Sequence, residues 1–119
     1  MKITPIKYNP ADLFCGIDGG GTTTKVVVCN RDGEVVSSFL TGTINHYGAG
    51  IVKVRENFHV IAAHLLDYFG CLPGNIFIGN SALSNKVSQE VIQDLTAGAF
   101  GVANIHFHSD VYIALLGFT

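Results

Sequence analysis

Apolar and polar residues along this chain first fall into short blocks and then settle into a three-and-four spacing. Leu13–Asp18, Thr24–Cys29 and Glu34–Leu40 are short runs rich in strand-favouring residues, and they predict three strands. Asn30-Arg31-Asp32-Gly33 predicts a tight turn between the second and third, so the three form an antiparallel meander. Thr41 to Gly50 reads as a loop. From there the period changes: Ile51, Val54, Phe58, Ile61, Ala62, Leu65 and Phe69 make one apolar helix face, with Gly70 as its C-terminal cap. After a Pro73-Gly74-Asn75 turn, the continuous run Ile76–Gly79 predicts a parallel strand buried on both faces. Asn80 to Asn85 is a polar loop. Val87, Val91 and Leu95 mark a second helix, Ala103 to His108 a fifth strand, and 111–118 a third helix.

The order βββαβαβα, a meander followed by two right-handed crossovers, predicts an α/β domain over 13–119 with a mixed five-stranded sheet and helices on its faces. Residues 1–12, with Pro5 and Pro10, read as a lead-in arm that is partly disordered or paired on an edge.

The chemistry concentrates between the first two strands. Asp18-Gly19-Gly20-Gly21-Thr22-Thr23-Thr24-Lys25 sets an acid, three glycines, three hydroxyls and an amine in a row. Successive glycines let backbone approach an oxyanion, and their N–H groups can form an anion-binding concavity. Threonine hydroxyls can donate to phosphate oxygens, and Asp18 can hold magnesium directly or through water. Two better-known phosphate loops are excluded. No glycine precedes Lys25 as a Walker A loop requires, and Val26-Val27-Val28-Cys29 continues as strand, where both Walker A and Rossmann loops open a helix. Lys25 begins that strand and is expected in solvent, without a catalytic role.

Composition narrows the picture. The 119 residues suit one domain with a modest core. A net charge of −2 with no basic run argues against nucleic acid as partner. No segment is long and apolar enough to cross a membrane, since 111–118 is only one short apolar run. Three cysteines without Cys-x-x-Cys spacing read as reduced thiols, and the polar first nine residues do not read as a signal peptide, so a cytoplasmic protein is expected. Only 13% of residues are charged, which fits a domain with a face made for something else.

The hairpin resembles the first phosphate motif of the actin / Hsp70 / sugar-kinase ATPase superfamily. Within it, Asp-Gly-Gly-Gly-Thr-x-x-Lys looks most like the N-acetylglucosamine kinase and BadF/BadG/BcrA/BcrD ATPase branch. Thr43-Ile44-Asn45-His46 resembles that kinase's sugar loop, and Ser109-Asp110 the position of its catalytic aspartate. The resemblance implies a ribonuclease H-like domain with sheet order 3-2-1-4-5, ATP and Mg2+ as cofactors, and a sugar substrate. It implies that this chain is one half, with the C-terminal domain carrying the second phosphate motif absent. It also implies roles: Asp18 for magnesium, Gly19, Gly20, Gly21, Thr22, Thr23 and Thr24 for the ATP phosphates, Asn45, His46 and Ser81 for substrate, and Asp110 as general base.

Each role has a structural counterpart. Ser109-Asp110 is also a good helix N-cap, and loop Asn and His residues also serve turn geometry. The loop at Asn80–Asn85 departs from the kinase by lacking further glycines and an acid. His106, His108 and Asp110 alternate and would share a strand face as a metal site, but a strand near the sheet centre would bury His106. Two other readings stand beside the kinase: an ATPase that activates an electron-transfer or dehydratase partner, and a non-catalytic nucleotide-binding module. If 111–118 has lost a partner, a homodimer through that segment is expected.

Overall fold

Strand alternation sorts the side chains into an inward layer and an outward one. The computed structural model describes residues 8–20, 22–44, 50–80, 86–101 and 104–107. Expectations for the third helix, the first seven residues, Gly21, Asn45, His46, Ser81, His108 and Asp110 lie outside the described residues. Along β1 (Phe14–Gly19), Cys15 and Ile17 face one way, and Phe14 and Gly16 the other. β2 (Thr23–Cys29) repeats this with Val26 and Val28 against Val27 and Cys29. β3 is Val35–Gly42, β4 is Asn75–Asn80 and β5 is Asn104–Phe107. The sheet order is β3-β2-β1-β4-β5. β1 pairs antiparallel with β2 and parallel with β4, and β4 pairs parallel with β5. This is the mixed α/β sheet that the sequence predicts.

Helices α1 (Ile51–Phe69) and α2 (Lys86–Phe100) join one hydrophobic cluster with Cys15, Ile17, Val26, Val28, Ile76 and Ile78. Both therefore lie on the same face of the sheet. At its centre the Phe58 and Phe100 rings meet edge to face, centroids 6.1 Å apart. Of the apolar residues of α1 that recur at three and four, Val54, Phe58, Ile61, Ala62, Leu65 and Phe69 are buried while Ile51, in the first turn, is exposed, and Gly70 closes the helix at φ 74° with its N–H on the Leu66 carbonyl at 2.8 Å. The opposite face is buried at Phe14, Val27, Cys29 and Phe77.

Three expectations are corrected. β3 runs two residues further than expected, to Gly42, because Thr41 and Gly42 pair with Thr24 and Thr23. The described part of the arm is docked. Pro10–Asp12 forms a 3-10 turn, the Pro10 carbonyl accepts from Gly74 N–H at 2.7 Å, and the Tyr8 ring stands edge-on to Phe69. β5 is an edge strand, so His106 is exposed there, stacked on Phe77 with centroids 5.0 Å apart, rather than held inside. Among the described residues no group of three His, Cys, Asp or Glu side chains is placed to hold a metal ion, and no helix is long and apolar enough to cross a membrane.

Candidate functional site

The tip of the β1–β2 hairpin is a four-residue turn. Gly19 and Thr24 are the last cross-strand pair, and Gly20 N–H donates to the Thr23 carbonyl at 2.8 Å. Two glycines here are required by close approach. A Cβ on Gly19 would lie 2.6 Å from Ile44 Cγ1 and 3.2 Å from the Gly79 carbonyl, and one on Gly20 would lie 2.9 Å from the Thr23 carbonyl. The turn is therefore narrow. Thr22 and Thr23 are exposed, with hydroxyls available to a ligand.

Asp18 is exposed directly before the glycines. In the β1–β2 register it sits opposite Lys25, which is also exposed. Cross-strand partners of this kind have Cβ atoms about 5 Å apart on one face. An acidic and a basic residue thus occupy facing positions at the mouth of the hairpin, on the face away from α1 and α2. Sequence reading placed Lys25 in solvent and missed this neighbour. The signal was available, because a four-residue turn at 20–23 dictates the pairing.

Thr24 departs from expectation. Its side chain is fully buried in the inward layer with Val26, and its Oγ1 has no hydrogen-bond partner among the described residues. The hydroxyl faces the core, not the tip, so a phosphate role for the Thr24 side chain is corrected to a packing role. Replacing it with valine removes an orphaned polar atom. Thr24→Val is expected to leave nucleotide affinity unchanged and to be neutral or up to about 1 kcal/mol stabilising. Thermal unfolding with and without MgATP checks this, and a tenfold loss of affinity at unchanged stability would restore Thr24 as a ligand.

The hairpin shares an edge with the ends of the parallel strands. Asp18 and Gly19 lie level with Gly79 and Asn80 across the β1–β4 pairing. This is the carboxyl edge of the parallel strands, where open α/β sheets place their ligands. Asn45, Ser81 and Asp110, outside the described residues, follow Ile44, Asn80 and the end of β5 in the chain. Of those three roots, Ile44 is fully buried against Gly19.

The cysteines do not converge. Cys15 stands opposite Val28, whereas Cys29 stands opposite Phe14, so their side chains leave opposite faces of the sheet. Burial pushes both thiols up, with the neighbouring Cys29 adding to the effect at Cys15, and burial also raises the half-buried Cys71.

No protein-family model matches the sequence, and no curated protein does. Solved structures match the fold. A proposed N-acetylglucosamine kinase from Chromobacterium violaceum aligns with a TM-score of 0.59 and 22% identity, covering 92% of this chain and 39% of that one. A PPX-GPPA enzyme from Aquifex aeolicus aligns at 0.53 and 11% identity, covering 80% and 36%. The ethanolamine utilization protein EutJ from Carboxydothermus hydrogenoformans aligns at 0.54 and 20% identity, covering 85% and 39%. The chain has the actin-type ATPase fold. It spans about two fifths of the length of these structures.

Proposed function

We propose that this chain is the phosphate-holding half of an ATP-dependent sugar kinase of the N-acetylglucosamine kinase type. One observation carries the reading. The actin-type sheet presents, at its carboxyl edge, a narrow glycine hairpin with an exposed acid at its root and two exposed threonines at its tip. The residues fit a magnesium-bound polyphosphate. Gly19 lets the root of the hairpin close on Ile44 and Gly79, Gly20 lets the turn close on Thr23, and Asp18 supplies an exposed oxygen donor beside them.

In this reading Gly19–Thr23 hold the ATP phosphates through backbone N–H groups and the Thr22 and Thr23 hydroxyls. Asp18 positions magnesium, directly or through water, and Lys25 beside it balances phosphate charge. Magnesium supplies charge neutralisation between the phosphates when bound. Asn45, His46 and Ser81 bind the sugar, and Asp110 accepts the proton of the attacking hydroxyl. Catalysis of this class is positioning and electrostatic stabilisation, with closure of a second domain excluding water. The cysteine arrangement does not favour the electron-transfer ATPase, since Cys15 and Cys29 point away from each other.

The test is phosphoryl transfer from ATP by the protein that carries this chain, over a panel of amino sugars and hexoses. A sugar phosphorylated well above the rate of ATP hydrolysis is the expected result. ATP hydrolysis indifferent to every sugar would contradict the kinase reading. The 119-residue chain alone should turn over little, because it presents one side of the clamp.

A further inference from the structure

Asn57 is a polar residue on the buried face of α1, almost fully enclosed. Enclosing an amide costs free energy unless it is hydrogen-bonded, and Asn57 Nδ2 donates to the Thr43 carbonyl at 2.7 Å. The surroundings are shaped for it. A Cβ on Gly42 would lie 2.6 Å from Asn57 Nδ2, so Gly42 leaves the space that the amide fills. Asn57 therefore grips Gly42 and Thr43 from beneath.

Those residues in turn grip the hairpin by both legs. Gly42 is the cross-strand partner of Thr23, on the β2 leg. Ile44 is fully buried and stands in the space that the missing Cβ of Gly19 leaves, on the β1 leg. The chain of contact runs from α1 through Asn57 to Gly42–Ile44, and from there to Thr23 and Gly19. Gly19 directly precedes the turn, and Thr23 is its last residue.

We infer that Asn57 is a positioning residue for the phosphate hairpin: through Gly42–Ile44 it sets how Gly19 and Thr23 are held apart. The inference rests on the proposed function only for the word phosphate; the mechanical coupling stands on the contacts. A shift of α1 is passed to the hairpin by this route, since interiors this closely packed transmit displacement.

The experiment compares the wild-type chain with Asn57→Asp, which keeps the shape and replaces the donor nitrogen by an oxygen facing the Thr43 carbonyl. Hydrogen exchange is read residue by residue, and the Gly20 N–H that closes the turn is the reporter. Exchange at Gly20 and Ile44 is expected to quicken about tenfold or more in the variant, with the amides of β1, β4 and the middle of α1 keeping their protection. Ile44→Val removes one methylene of the wedge and leaves Asn57 in place. It is expected to quicken Gly20 alone, and it decides the matter if Asn57→Asp does not fold. Titration with MgATP, and with inorganic tripolyphosphate and magnesium, is expected to show about tenfold weaker binding in Asn57→Asp for both ligands. Unchanged Gly20 exchange in the folded variants would overturn the inference. A wild-type chain that binds neither ligand would instead overturn the proposed function, while the exchange result would still decide the coupling.

Discussion

Asp18→Asn is expected to lower phosphoryl transfer by the protein that carries this chain roughly 100-fold, the size seen when a group that orients a metal site is lost. Stability should hardly change. Asp18 is exposed, and substitutions at such positions usually shift stability by no more than about 0.5 kcal/mol. The charge is what matters. Asn keeps the size and one oxygen but removes the negative charge that, in the proposed function, draws magnesium to the root of the hairpin. Raising magnesium should recover part of the rate, because the defect lies in metal positioning. The rate as a function of magnesium, with melting temperature as control, makes the check. A variant with wild-type rate at low magnesium would remove Asp18 from the site.

The largest effect on stability is expected at Phe58. The ring is fully buried, faces Phe100 across the α1–α2 contact, and packs in the cluster that joins both helices to β1, β2 and β4. Phe58→Ala loses that burial and leaves a cavity, at a cost of about 3–5 kcal/mol. For a chain of this size the melting temperature should fall on the order of 15 °C. Calorimetry measures it directly. A fall of only a few degrees would mean that the two helices do not share one core. The comparison with Asp18→Asn separates the two halves of the account, because one substitution strikes the fold and the other the chemistry.

Much of this was legible in the residues, for identifiable reasons. The bounds of α1 follow from seven apolar positions at helical spacing and a glycine free to adopt the left-handed cap. The hairpin was legible because three glycines between strand-forming runs leave few other structures open. Thr24 was misread although its signal was present. It shares a period of two with Val26 and Val28, which places its side chain inward whatever chemistry a hydroxyl could do. The end of β3 was harder. Thr41-Gly42 has turn composition, and only pairing with Thr23 and Thr24 from a distant segment draws it into the sheet. Asn57 had no local signal at all. A polar residue beside Phe58 reads as the margin of the apolar face, and its place is explained only by a glycine fifteen residues earlier that makes room for it.

The same contrast runs through the site. Positions set by neighbours in the chain, such as the exposed Asp18 directly before the glycines, could be read from sequence. Residues whose role depends on register, such as Lys25 beside Asp18, or on packing between segments, such as Ile44 beneath Gly19, became visible only in the fold.

The glycine hairpin is the proposed seat of the nucleotide phosphates. The most direct test is a residue-resolved NMR titration of the 119-residue chain with MgATP, which detects even weak binding. Shift changes are expected to centre on Asp18, Gly19, Gly20, Thr22 and Thr23, to diminish in Asp18→Asn, and to be reproduced by tripolyphosphate with magnesium. A titration to high nucleotide concentration that leaves those amides unmoved would contradict the account.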